Sequence, residues 1–446
     1  MQIKQFFDES LAQASYMVIS AGKAAIIDPQ RDPQIYVDFA QKHQAQIVAI
    51  LQTHPHADFV SGHLEIHQKT DAPILHSAKL GATYPHQTFE EGDVFTLGSA
   101  TIHPLFTPGH SPDSLSYLLR DSAKNDLALF SGDTLFIGDV GRPDLREKAG
   151  NLHQKREELA RQMYHTIQNK IKPLPDDIMI YPAHGNGSLC GKNMSDERYS
   201  TLGQQRIENW ALSDMSEEEF VQELLDGQPY IPKYFSYAVE LNREGAPHLS
   251  ESLQDIPTLA NPDQIPPNAL IIDTRPQHSY KHNHLAHSIN LQLGENAKFE
   301  TWLGSIVAPQ EPFYLVTGSA QDLETAKYRA ARIGYDQLIK GGTVFAATAR
   351  SNGQFIDLDH FSSHPQDYTI LDIRQSPEAE SKPIFDSAIH IPLDELRERT
   401  NEIPTGKPVV VHCAGGYRSA AGYSILQNAL KEVDVYDLSD AVKDFA

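Results

Sequence analysis

Four apolar segments each run straight into a turn that carries a metal-ligand type of side chain, and this repetition most narrows the folds open to the chain. Ile47-Val48-Ala49-Ile50-Leu51 leads into Thr53-His54-Pro55-His56-Ala57-Asp58-Phe59. Ala100 to Phe106 leads into Thr107-Pro108-Gly109-His110, Leu127 to Phe130 into Ser131-Gly132-Asp133, and Ile178 to Tyr181 into Pro182-Ala183-His184. Continuous apolar runs of this kind read as buried strands, and loops leaving strands are where rigid scaffolds place chemistry. His54, His56 and Asp58 form a compact cluster of possible metal ligands. Alone, that stretch could be a polar turn with solvated histidines. Three further strand ends of the same design argue for a metal site.

Four strand ends delivering His, His, Asp and His in this order resemble the metallo-β-lactamase superfamily. The resemblance implies an αββα sandwich with its metal site along one edge. Hydrolytic members such as glyoxalase II carry His-x-His-x-Asp-His and hold two metals. In this chain the last histidine is Phe59. Asp58 and His184 alone would hold a second divalent ion poorly, since a zinc site normally takes three or four protein ligands. One metal is therefore expected. His54, His110 and Asp133 have the composition of the facial triad of non-haem Fe(II) oxygenases, with open positions for substrate and O2. They resemble the ligand set of the persulfide dioxygenase branch, which implies one Fe(II) per chain. His56, Asp58 and His184 are then expected around the ligands, orienting them or handling protons.

At 446 residues the chain is too long for one ordinary core, and two or three domains are expected. A formal net charge of −22 argues against a nucleic-acid or anionic-membrane partner. It also means that anionic substrates need local positive or dipolar sites. Lys4, Asp8 and Glu9 make the first residues unlike a secretory signal, and nowhere is an apolar run long enough to span a bilayer. Cys190 and Cys413, far apart, form no disulfide framework. A cytoplasmic protein is expected, assembling as a homo-oligomer.

Residues 1–245 read as the first domain. Tyr16 to Ser20 and Lys23 to Pro29 predict an opening hairpin around Ala21-Gly22, and Pro33 to His43 a helix. Gly138 to Asp144 is a Gly-rich loop after Asp133. Its Arg142 is either a surface-turn residue or a contact for the carboxylate or phosphate of a thiol carrier; the resemblance implies the latter. Leu152 to Ile171 has helical spacing, and Trp210 to Leu225 reads as a helical end to the domain. Cys190 follows the His184 turn closely. It reads as a small buried apolar residue or as a persulfide relay near the metal.

A proline-rich, polar stretch from Glu244 to Pro267 suits a connection. Beyond it the chain echoes itself. Ala269-Leu270-Ile271-Ile272-Asp273-Thr274-Arg275 returns as Tyr368-Thr369-Ile370-Leu371-Asp372-Ile373-Arg374, and Phe313 to Thr317 as Val409 to His412. Strands alternating with helical stretches indicate two small α/β domains with parallel sheets, over 246–358 and 359–446. Both resemble rhodanese modules. In the second, His412-Cys413-Ala414-Gly415-Gly416-Tyr417-Arg418-Ser419 lies between a Val-rich strand and a helix over Ser419 to Leu430. Such a loop aims its amide N–H groups at an anion, stabilises a thiolate and can hold a persulfide. Cys413 is the expected nucleophile, and Arg418 supplies a charged fork for an oxyanion such as sulfite or thiosulfate. Ala414, Gly415, Gly416 and Tyr417 complete the cradle. The first repeat has Gly318 and Leu323 at the matching places, so it is expected to be inactive.

Taken together, the chain resembles the bacterial persulfide dioxygenase–rhodanese fusions. That implies oxidation of a low-molecular-weight thiol persulfide by O2 to sulfite, and sulfur transfer from Cys413 to sulfite to give thiosulfate, a sulfide detoxification. Two alternatives stay open: a zinc thioester hydrolase of the glyoxalase II type fused to a sulfurtransferase, and a non-catalytic sulfur carrier or persulfide sensor.

Overall fold

A computed structural model describes residues 1–146, 155–294, 297–346 and 353–445. The chain divides into two compact units. The first comprises 1–251 together with 332–334, the second 252–331 and 335–446.

The first unit is built on two six-stranded sheets. One has the spatial order Gln2–Asp8, Gln13–Ser20, Lys23–Ile27, Gln46–Leu51, Ile74–His76, Gln87–Thr88. The other runs Ser200–Thr201, Met179–Pro182, Asp126–Gly132, Leu115–Arg120, Ala100–Phe106, Phe95–Leu97. Alternate residues of both sheets, among them Tyr16, Val18, Ala25, Leu51, Ile102, Tyr117 and Phe130, meet in a shared core. The opposite faces are apolar as well, because helices cover them. Tyr36 and Ala40 of Gln34–Lys42, with Ile66 of His63–Thr70, pack on Met17, Ile26 and Ile50. Ala160 and Met163 of Arg156–Thr166 pack with Phe220 and Leu224 of Glu217–Leu225 on Leu118, Leu129 and Ile180. This is the αββα sandwich that the family resemblance implied. Two-sided burial explains why its central strands read as unbroken apolar runs.

Local differences have local causes. The strand Gln2–Asp8, paired antiparallel with Gln13–Ser20, had no clear signal because its exposed edge alternates with polar residues. The helix expected over 152–171 spans Arg156–Thr166 and then widens to a π turn over Ile167–Ile171; residues 152–154 lie outside the described residues. Of the helical stretch expected over 210–225, only Glu217–Leu225 is an α-helix, started by a Ser216–Glu219 capping box.

The second unit holds two four-stranded, wholly parallel sheets. Their orders are Ser288–Asn290, Leu270–Asp273, Phe313–Thr317, Ile339–Val344 and Ile389–His390, Thr369–Asp372, Val409–His412, Val435–Asp437. The two repeats share one topology. The helix Tyr417–Ala429 is buried from Ser419 through Leu426, because the middle repeat covers it too. Ser424 Oγ accepts the Asn290 N–H at 3.0 Å, and Asn428 donates to the Ser288 carbonyl at 3.0 Å.

Candidate metal centre and cysteine loop

His54, His110 and Asp133 converge at the ends of three strands. One ligand atom from each lies within 4.8 Å of the other two, and all three residues are buried. His54 Nε2 is 3.6 Å and His110 Nε2 3.4 Å from Asp133 Oδ2. The surroundings fix which nitrogen faces inward. The Arg142 carbonyl can only accept, so His110 Nδ1 donates to it (2.8 Å) and leaves Nε2 as a lone pair. The Thr53 hydroxyl donates to Asp28 (2.8 Å), so its oxygen accepts from His54 Nδ1 (3.0 Å) and frees His54 Nε2 in the same way. Among the described residues, buried His54 Nε2 and Asp133 Oδ2 make no hydrogen bond. Two imidazole lone pairs and an unpaired carboxylate oxygen converging in a buried site fit a divalent cation.

Charge agrees with geometry. Burial, with His56 beside it, pushes His54 well below the ordinary histidine value, and burial lowers His110, so both are neutral donors. Burial alone would raise Asp133, but His184, hydrogen-bonded to it, outweighs that and holds the carboxyl ionised. His184 stands between two carboxylates, with Nδ1 2.8 Å from Asp133 Oδ1 and Nε2 2.9 Å from Asp58 Oδ2. Burial would lower its pKa; Asp133 and Asp58 instead raise it well above the ordinary value.

The loop over Gly138–Asp144 closes against this cluster because Gly141 has no side chain. A Cβ there would lie 2.0 Å from the Asp133 carbonyl oxygen and 2.9 Å from His110 Nδ1. Arg142 is fully buried. It grips Asp144 with two hydrogen bonds of 2.7 Å and donates to the Leu189 and Tyr230 carbonyls. The guanidinium thus holds the loop, and the backbone carbonyl orients His110.

In the second unit Cys413 follows the strand Val409–His412 directly. Gly416, in the left-handed region at φ 95°, turns the chain into the helix and points its N–H at Cys413 Sγ, 3.2 Å away. Ala414 and Gly415 are exposed, and Tyr417 donates to the Gln292 carbonyl of the middle repeat at 3.2 Å. Arg418 lines the same cavity as Cys413. Its guanidinium is held by both oxygens of Glu378, at 2.7 and 2.6 Å, so its charge is already matched.

The metallo-beta-lactamase superfamily model matches residues 10–184, and the rhodanese-like domain model matches 258–344 and 358–446. A solved metallo-beta-lactamase from Staphylococcus aureus subsp. aureus COL is 32% identical, with a TM-score of 0.68, over 77% of this chain and 99% of its own. This chain belongs to the metallo-beta-lactamase superfamily. Its second unit is a pair of rhodanese-like domains. A beta-lactamase hydrolase-like protein of Agrobacterium fabrum is 30% identical over 277 residues, 54% of this chain, and the chain spans 60% of that relative's length. A hydroxyacylglutathione hydrolase of Francisella tularensis subsp. novicida is 29% identical over 225 residues, covering 48% of this chain and 81% of the relative.

Within the metallo-β-lactamase sandwich, Phe59 is buried beside the second half of the motif. Its ring lies 4.3 Å from that of His56 and 6.1 Å from that of His184. His56 itself approaches Asp28, Nε2 to Oδ1 3.3 Å. Cys190 is buried, and its thiol, Asp58 and His184 also offer three ligand atoms within 4.8 Å of one another. The sequence reading counted only Asp58 and His184 at this place. Three supports of the site escaped it as well. Asp28 binds the Thr53 N–H and hydroxyl; Asn242 donates to the His56 and Phe59 carbonyls (2.8 and 2.7 Å); Tyr234 donates to the Asp58 carbonyl (3.0 Å). They sit far off in sequence, and no local pattern marks them.

Proposed function

We propose that the metallo-β-lactamase domain is an Fe(II)-dependent persulfide dioxygenase. We further propose that the last rhodanese-like domain transfers sulfane sulfur through Cys413. The observation that carries the first part is the site's asymmetry. His54, His110 and Asp133 form a two-histidine, one-carboxylate cluster with lone pairs aimed inward, while apolar Phe59 stands against His56 and beside His184, which with Asp133 make a second group of close donors.

His54, His110 and Asp133 would hold the iron. When bound, Fe(II) supplies the redox and Lewis-acid chemistry that lets O2 react with a persulfide sulfur. The overall conversion is persulfide plus O2 and water to free thiol, sulfite and two protons. Thr53 and the Arg142 carbonyl keep His54 and His110 in the ligating tautomer. His184, between Asp133 and Asp58, holds a proton within reach of the site. Phe59 and Phe136 place apolar rings 6.1 and 6.2 Å from that of His184. In the rhodanese-like domain, Gly416 N–H steadies the sulfur of Cys413 while it carries a sulfane sulfur as Cys–S–SH. Attack of sulfite on the outer sulfur gives thiosulfate and returns the thiolate.

The test is O2 consumption with a panel of low-molecular-weight persulfides, with iron content measured on the same anaerobically purified sample. O2 uptake in proportion to iron supports the reading; uptake independent of iron refutes it. A second reading rests on the hydroxyacylglutathione hydrolase relative and on Cys190 as a third donor beside Asp58 and His184. It is a zinc thioester hydrolase, and two zinc ions per active chain would favour it.

A further inference from the structure

The two rhodanese-like repeats share one topology, but only the last has a cysteine at its loop. In the middle repeat Gly318 takes that place, at the end of the strand Phe313–Thr317. The helix Ala320–Ala331 starts two positions after Gly318, whereas Tyr417–Ala429 starts four positions after Cys413. The shorter turn lacks the residues that cradle an anion beside Cys413. It presents a carboxylate instead.

A cavity of about 650 Å³ opens at Gly318, within the size range of small-molecule sites. Pro276, Leu293, Ala297 and Tyr417 line it together with Arg275 and Asp322. The two charged residues flank the cysteine's place: a Cβ on Gly318 would lie 3.3 Å from Asp322 Oδ2 and 3.8 Å from Arg275 Cγ. The Arg275 guanidinium is already taken. Its Nη2 donates to Asp273 at 2.7 Å and to the Asn283 carbonyl at 2.8 Å, and it stacks 3.5 Å from the centre of the Phe345 ring. Asp322 is exposed, and its Oδ2 accepts the Ser319 hydroxyl at 2.8 Å. Among the described residues the carboxylate pairs with no cation. The middle repeat thus reverses the polarity of its neighbour. In a chain of net charge −22 the overall field also favours a cation at this place. One carboxylate is too few ligands for a metal ion, whereas it suits an ammonium, whose N–H groups make charge-assisted hydrogen bonds to it.

We propose that the cavity at Gly318 binds a small organic cation, a primary ammonium on an apolar stem, with Asp322 as its counter-ion. Pro276, Leu293 and Ala297 receive the stem, and glycine in the cysteine's place leaves the room for it. Tyr417 belongs to this cavity and to that of Cys413, and its hydroxyl donates to the Gln292 carbonyl at 3.2 Å. Two sources share the ammonium chemistry: amine-bearing thiols, the kind of carrier that brings sulfur to Cys413, and amines without a thiol.

The test titrates the full chain calorimetrically with 2-(methylthio)ethylamine and with its uncharged N-acetyl derivative. The parent is expected to bind the amine about tenfold more tightly than the N-acetyl compound. Asp322→Asn should lose that preference and Asp322→Glu keep most of it. Gly318→Leu, at a position whose backbone needs no glycine, should fill the cavity and weaken both compounds. Equal binding of the two compounds by the parent, or undiminished amine binding in Asp322→Asn, would overturn the site. Loading of Cys413 from cysteamine persulfide and from N-acetylcysteamine persulfide, followed by mass spectrometry, distinguishes the sources. Faster loading from the amine, lost in Asp322→Asn, assigns the site to amine-bearing thiols; equal loading with amine binding intact assigns it to thiol-free amines. A parent that takes up no sulfur from either would overturn the reading of Cys413 as a carrier, while the calorimetry still decides the site.

Discussion

The ring of Phe59 lies 4.3 Å from that of His56, tilted by 32° to it, on the side of the site where glyoxalase II-type members of the superfamily have a further imidazole. The apolar ring thereby stands against the donors His56 and His184, which lie close to Asp133. Asp58, His184 and Cys190 also bring three donor atoms within 4.8 Å of one another, so on the proposed reading one metal is held in balance against two.

Phe59→His is expected to tip that balance. An imidazole added beside Asp58 and His184 makes a three-ligand or four-ligand site, the usual number for zinc. Metal analysis after dialysis from excess zinc should rise from about one to about two ions per chain, with dioxygenase activity lowered. Stoichiometry that stays at one would show that Phe59 is not what keeps the site mononuclear.

Asp28→Asn should weaken the metal without touching a ligand. Asp28 accepts from both the Thr53 N–H and hydroxyl, and that hydroxyl sets the tautomer of His54. Losing such an outer partner typically costs about 10- to 100-fold in metal affinity. Competition with a chelator reads the change. Equal affinity in parent and variant would mean that His54 is oriented without this chain of hydrogen bonds.

Arg142→Ala separates support from substrate contact. Removing one partner of a buried, bidentate pair leaves Asp144 short of two donors and should cost on the order of 3 kcal/mol. Thermal denaturation should show the loss, while folded protein at low temperature keeps its KM for persulfide. A raised KM with an unchanged Tm would restore the carrier-binding role expected from the sequence.

What the sequence showed plainly was local. Each candidate ligand follows its strand within a few residues, so His54, His110, Asp133 and His184 could be read from apolar runs and turns. Cys413, its glycines and the helix after it form one continuous segment in the same way. What stayed hidden depends on pairing across distance. Glu378 lies 40 positions from Arg418, and nothing in either segment announces that the carboxylate takes the guanidinium. The Asp-x-Arg at each strand end proves equally inward-looking: Arg275 grips Asp273 and Arg374 grips Asp372 at 2.7 and 2.6 Å. Lys298 and Trp302 belong to a repeat whose own loop has lost its chemistry, and only the packing of the two repeats brings them to Cys413.

Glu378→Gln should release Arg418. The neutral amide cannot match the guanidinium's charge, so Arg418 becomes available to an oxyanion in the cavity. Sulfite should then saturate at lower concentration, by about threefold to tenfold. Steady-state thiosulfate formation measures it, and a weaker sulfite affinity would mean that the pair positions the loop.

The coupled reaction is tested most directly by the product made by Cys413→Ser. The metal ligands and Cys413 belong to separate units, and a serine hydroxyl cannot carry a sulfane sulfur at neutral pH. With iron loaded and persulfide and O2 supplied, the parent should yield thiosulfate. The variant should consume O2 at the parent rate and release sulfite in its place. Thiosulfate made by Cys413→Ser at the parent rate, after correction for the spontaneous reaction of sulfite with persulfide, would contradict the account.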